Sequence, residues 1–143
     1  MKKIFSLLFF YLTIHFVGFA QQEKASSYDA KIQFEVEVMD YGTIEQSSNG
    51  DRKFKFKNVG NAPLILSNVQ GSCGCLSLKW PKEPIMPGKT GVIVAHYDTQ
   101  RLGKFEKTFT VTSNAYEQPS IVLKVKGVVF KPLIDSVYAE LPK

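Results

Sequence analysis

Cys73 and Cys75 are the only cysteines of this 143-residue chain, and a single glycine separates them. Two thiols so placed can close a local disulfide, exchange electrons through it, or hold a soft cation such as Cu(I). In an extended strand their Cα atoms would stand about 6.6 Å apart with both side chains on one face, near the upper limit for a disulfide. A turn at Gly74 would bring them closer, and glycine permits the unusual dihedrals that such a turn can demand. Stability is a poor reason for the spacing. In the chain-entropy model, closing a loop of about three residues contributes about 1.6 kcal/mol, against about 3 kcal/mol for about fifteen residues.

The plain structural reading is a local disulfide, or two buried thiols, shaping the turn before Trp80. The redox reading rests on the more oxidising potentials of strained or exposed disulfides. Against it, Cys-x-Cys is not the Cys-x-x-Cys of thioredoxin-like proteins, and no helix N-terminus is evident to depress a thiol pKa. The metal reading needs auxiliary ligands for copper, and Met86, Met39 or His96 are the candidates. Structural zinc is a poor fit, because it takes about four ligands. Once His15 is lost with an export signal, the chain offers two cysteines and one histidine.

His96 lies beside Asp98 in an apolar run, which invites a catalytic reading with Ser72 or a thiol. Adjacent strand residues point to opposite faces, so neither Tyr97 nor a simple neighbour contact makes a triad, and no Gly-x-Ser-x-Gly elbow is present; a structural histidine is the simpler expectation. Asp40, Glu45 and Asp98 are explained by turn and cap roles rather than as paired carboxylates. Trp80, next to Pro81, reads as core or rim packing, with an exposed ligand-facing aromatic as the alternative. Nothing pairs a nucleophile with a base, so the expectation is a protein that is not an enzyme and needs no cofactor. Copper at the cysteines is the alternative.

The elements that must position these residues follow an export signal. Lys2 and Lys3 precede an almost wholly apolar run from Ile4 to Phe19, and Gly18-Phe19-Ala20 supplies small residues before a cut. The run is short for a membrane span of about 20 residues and is interrupted by Thr13 and His15. Residues 1–20 are therefore expected to be a cleaved signal peptide, leaving no stable membrane span and placing the cysteines in an oxidising compartment, periplasmic or secreted. Cleavage removes two lysines and no acid, so the formal charge falls from +5 to +3. The remaining lysines and acids interleave, as in Lys53, Lys55 and Lys57 against Glu35 and Glu37. That pattern argues for a solvated surface and a monomer, and against a nucleic-acid groove.

Residues 21–30 are polar and aperiodic, a linker. Beyond them the apolar period is two. Ile32, Phe34, Val36 and Val38 alternate with polar residues and predict one half-buried strand. Phe54 and Phe56 alternate with lysines, just after a hairpin signal at Asn49-Gly50. Phe105, Phe109 and Val111 predict another strand, as do Ile121, Leu123 and Val125. Leu64 to Val69 and Val92 to Tyr97 are more continuously apolar and read as central strands. Turn chemistry at Asn58 to Pro63, Pro87-Gly88 and Arg101 to Gly103 separates them. About seven such strands imply an all-β, immunoglobulin-like antiparallel β-sandwich over residues 31–130. Residues 131–143 read as a short helix or loose tail. Lysines 53, 55, 57, 124 and 126 are expected to guard the sheet edges.

Asp40-Tyr41-Gly42-Thr43-Ile44, Phe54 to Gly60, Pro63-Leu64 and Ser72-Cys73-Gly74-Cys75 occur in that order. Trp80-Pro81, Pro84 to Gly88, Tyr97-Asp98, Gly103-Lys104-Phe105 and Ser113-Asn114 follow them. Taken together these blocks, over about residues 33 to 129, resemble the bacterial domain-of-unknown-function family fifteen-seventy-three. The resemblance implies an immunoglobulin-like fold of the ciliary and sperm-protein type and export from Gram-negative bacteria. It implies no biochemical role. One position departs: the family often has Thr after the second cysteine, where this chain has Leu76. The function expected is a non-enzymatic scaffold or binding module of the envelope that engages another protein or a peptide. The alternative is a thiol site for copper or redox exchange.

Overall fold

Period-two alternation becomes eight strands in a computed structural model that describes residues 28–133. They are β1 (Ile32–Phe34), β2 (Val38–Glu45), β3 (Asp51–Asn58), β4 (Leu66–Gly71), β5 (Leu76–Lys79), β6 (Thr90–Tyr97), β7 (Gly103–Ser113) and β8 (Ser120–Phe130). The expected signal peptide, most of the linker and residues 134–143 lie outside the described residues. Residues 131–133 carry no helix, and no helix among the described residues is long and apolar enough to cross a membrane.

The strands form two four-stranded sheets, β1-β3-β6-β5 and β2-β8-β7-β4. Phe54 and Phe56 of β3, Ile93 of β6, Phe109 and Val111 of β7, and Leu123, Val125 and Val129 of β8 are buried between them. Phe54 meets Phe109 of the opposite sheet edge to face, with centroids 5.1 Å apart, the arrangement favoured by the ring quadrupoles. Gly91 is required where the Phe56 ring lies over the backbone, because a Cβ there would overlap the ring.

Five expectations are corrected. Residues 32–38 are not one strand: β1 ends at Phe34, and the chain crosses at Glu35–Glu37 to begin β2 in the other sheet. Ile32 and Phe34 pack against the core, whereas Val36 and Val38 are 42% and 51% exposed. The period alone does not register this crossing, since both pieces alternate alike. The sandwich is not wholly antiparallel either, because β2 runs parallel to β8. Asn49-Gly50 makes no hairpin, since β2 and β3 belong to different sheets. Gly50 is instead needed for close approach, as a Cβ would collide with the Tyr97 carbonyl oxygen. Finally, β4 is an edge strand, while β6, expected to be central, is interior. The lysines of β3 and β8 also sit on interior strands, so they guard faces and not edges.

One end of the sandwich is closed around Asn58, which is completely buried. Its Nδ2 donates to the carbonyls of Ala62 and Ile85, both at 2.8 Å, and its Oδ1 accepts from the Gly60 N–H at 3.0 Å. A buried amide satisfied on both sides locks the β3–β4 loop to the segment ahead of β6.

Candidate functional site

The Cys73–Cys75 segment is the connection that carries the chain from β4, an edge of one sheet, to β5, an edge of the other. Ser72 continues the β4 ladder, its N–H donating to the Thr108 carbonyl at 2.9 Å while its Oγ accepts from the Thr108 N–H at 3.3 Å. The chain then turns, with the Leu76 N–H donating to the Cys73 carbonyl at 3.3 Å. The Asp98 N–H donates to the Cys75 carbonyl at 3.0 Å and anchors the far side of the turn. Within it Cys73 and Cys75 are joined in a disulfide, with Cα atoms 5.2 Å apart. The turn thus shortens the extended-strand separation. It does so without the glycine conformation expected: Gly74 is not among the positive-φ residues, and a Cβ on it would meet nothing within 4 Å.

The two sulfur-bearing residues differ in access. Cys75 is 5% exposed, Cys73 is half-buried, and Gly74 and Ser72 are exposed. Both cysteines line an open depression of about 360 Å³ together with Tyr97, Phe105, Arg101, Lys104, Glu106 and Lys107. Tyr97 and Phe105 are stacked, with centroids 3.7 Å apart. Tyr41 packs edge-on against Phe105 behind them. Its hydroxyl donates to the Gly50 carbonyl at 2.8 Å, and burial pushes its pKa up to about 12. Two of the charged residues are engaged: Arg101 pairs with Asp98 at 3.1 Å, and Glu106 with Lys124 at 2.7 Å. The bond from Lys124 holds the Glu106 carboxyl below its ordinary pKa. Lys104 and Lys107 make no ion pair within the described residues.

The other candidate residues are dispersed. His96 sits on the outer face of β6, and its Nδ1 is 2.7 Å from Asp51 Oδ1 on β3, directly across the ladder. Ser77 of β5 stands opposite on its other side. His96 therefore lines a separate depression from the cysteines, and its carboxylate partner is Asp51 and not Asp98. Asp98 accepts from the Gln100 N–H and pairs with Arg101, as a turn residue does. Asp40 accepts from the Gly42 N–H at 2.8 Å and lies 3.3 Å from Lys126. Both interactions lower its pKa, with the Gly42 hydrogen bond the larger cause. Met86 is exposed in the turn that also carries the Gly88 N–H to Asn58 bond, at the end of the sandwich remote from the disulfide. Met39 is partly buried against the core. No group of three or more His, Cys, Asp or Glu side chains suited to a metal occurs among the described residues.

Trp80 is half-buried against the core, with Lys82 Nζ 3.2 Å above its ring centroid. Its buried indole N–H has no hydrogen-bond partner among the described residues. The residues missed from sequence are the surroundings of the disulfide: Tyr97, Lys104, Phe105 and Lys107 come from β6 and β7. No local signal marks them, because the register of distant strands brings them to the turn.

Residues 32–129 match the family described as protein of unknown function (DUF1573). No curated protein matches the chain. Among solved structures it is similar to a protein of unknown function from Porphyromonas gingivalis W83, with TM-score 0.63 and 17% identity over 76% of this chain and 51% of that one. The ASH/PapD-like domain 7 of human CEP192 is similar with TM-score 0.58 and 9% identity, covering 81% of this chain and 96% of that one. The YadV chaperone is similar with TM-score 0.50 and 13% identity, covering 69% and 52%. The chain thus spans about half the length of the first and third of these proteins. At such identities the likeness establishes a shared immunoglobulin-like, PapD-like sandwich and nothing of what the domain binds. By the match across its strands, the chain belongs to the DUF1573 family.

Proposed function

We propose that this domain is an exported, non-enzymatic binding module of the bacterial envelope, which takes an extended segment of a partner protein or peptide along the free edge of β4. The observation that carries the reading is the make-up of that edge. Natural sheets blunt their edges with short strands, bulges, charges and prolines. Here β1 has three residues, β5 has four and ends in Lys79, and β2 carries Asp40 and Glu45 and shifts register between Asp40 and Thr43. The β4 edge, Leu66–Gly71, has no charge and no proline; it shifts register between Leu66 and Asn68, as β2 does between Asp40 and Thr43, but from Asn68 to Gly71 it keeps continuous register with β7. Alternate main-chain groups of such a strand face outward and can pair with an added strand. The apolar run from Ile4 to Phe19 supports export, and the solved YadV structure has a similar sandwich in a protein described as a chaperone.

The test is a photo-crosslinking residue placed at Gln70 on β4 or at Thr43 on β2, in the exporting cell. The reading expects a discrete adduct from Gln70 and none from Thr43. Equal yields at the two edges, or no adduct at Gln70, would contradict it.

A further inference from the structure

We propose that the Cys73–Cys75 bond is a thiol–disulfide exchange site for protein or peptide dithiols, with Cys73 Sγ the sulfur attacked and Cys75 the leaving thiolate. Three observations carry this, independently of the β4 edge. First, access is one-sided: Cys73 is half-buried and flanked by exposed Ser72 and Gly74, whereas Cys75 is 5% exposed. Second, the backbone does not explain Gly74. Its φ is not positive and a side chain would meet open space, so the effect of having none is to leave the disulfide uncovered. Third, the depression holding both cysteines also holds Lys104 and Lys107, which lack ion-pair partners among the described residues. Neighbouring cations stabilise a thiolate, and a leaving thiol of lowered pKa departs faster.

The exchange balances with the partner dithiol as reductant. Its thiolate attacks Cys73 Sγ, a mixed disulfide forms, and the Cys73–Cys75 bond breaks with its electron pair leaving on Cys75. The partner's second thiol then displaces Cys73, so that the partner gains a disulfide and the domain gains two electrons and, from the partner's thiols through water, two protons. The strands flanking the turn are held apart from the bond, β4 by β7 and β5 by β6, so the sandwich stays folded throughout.

The test uses the full oxidised chain in native buffer. Dithiothreitol is added, thiols are trapped by alkylation and read by intact mass, and near-ultraviolet circular dichroism follows the fold. The expected result is reduction with the fold intact, and with glutathione as probe a mixed disulfide mapped to Cys73. Gly74→Val should slow reduction about tenfold by covering the bond, and the double variant Lys104→Gln, Lys107→Gln should slow it several-fold and weaken its salt dependence. Thermal melts of both variants check folding. Reduction only at urea concentrations that unfold the chain, an adduct on Cys75 in place of Cys73, or wild-type rates in both variants would overturn the proposal.

Discussion

At one end of the sandwich Asn58, with no exposed surface, bonds to Ala62, Ile85 and Gly60 and holds the loops together. At the other end a covalent bond is present, yet closure there is done by other groups. Tyr41, Tyr97 and Phe105 pack ring against ring, the Tyr41 hydroxyl holds the Gly50 carbonyl, and Thr99 Oγ1 donates to the Ser48 carbonyl at 2.8 Å. A buried, fully satisfied amide is costly to remove because its partners are left in a dry site. A disulfide closing a very short loop constrains the unfolded chain little. The difference teaches that a covalent cross-link need not be what stabilises the end it sits in, and the cysteine turn is left free for chemistry.

Substitution can break this contrast. Asn58→Ala orphans the Ala62 carbonyl and the Gly60 N–H, while the Ile85 carbonyl keeps the Leu64 N–H, and should cost about 3 kcal/mol in urea unfolding. The double variant Cys73→Ser, Cys75→Ser loses about 1.6 kcal/mol of loop-closure constraint by the same measurement, to which the hydroxyl placed at buried Cys75 adds its own cost. Tyr41→Phe removes one buried hydrogen bond and should cost about 1 kcal/mol. It should also change the alkaline limb of stability. Burial raises the Tyr41 pKa from 10.0 to about 12, so the fold favours the neutral phenol. That contribution is complete below pH 10 and is lost as pH rises towards 12, and the variant should lack it. Tyr97, also raised by burial, leaves a residual slope in the variant. The smallest effect belongs to the exposed Lys124–Glu106 pair, where Glu106→Gln should leave the urea midpoint close to wild type. The carboxyls of Asp40 and Glu106 are held below their ordinary pKa, so what stability they add is present above the unfolded value and fades as pH falls through the folded one.

Strands β3, β6, β7 and β8 were legible because each is long and buries alternate residues against the core. The crossing at Glu35–Glu37 was not, since moving to another sheet does not interrupt the period of two. Apolar content misplaced β4 as central, because Leu64 and Leu66 are buried by the opposing sheet and not by neighbours on both edges. Four-residue β5 is too short to declare itself. At the site, the cysteine pair and its turn were legible as local features. The cations, the stacked rings and the Asp51 partner of His96 were not, since they depend on register between strands far apart in the chain. Gly74 was read as permitting an unusual turn conformation, whereas its φ is not positive and the turn does not call on that freedom.

The most direct test of the central claim is the urea-unfolding free energy of the wild-type chain with the Cys73–Cys75 bond intact and after reduction by dithiothreitol. The account predicts one cooperative transition in both states, with a loss on reduction of no more than about 1.6 kcal/mol, smaller than that of oxidised Asn58→Ala. A loss equal to or greater than that of Asn58→Ala, or unfolding on reduction alone, would show the cysteine turn to be structural and contradict it.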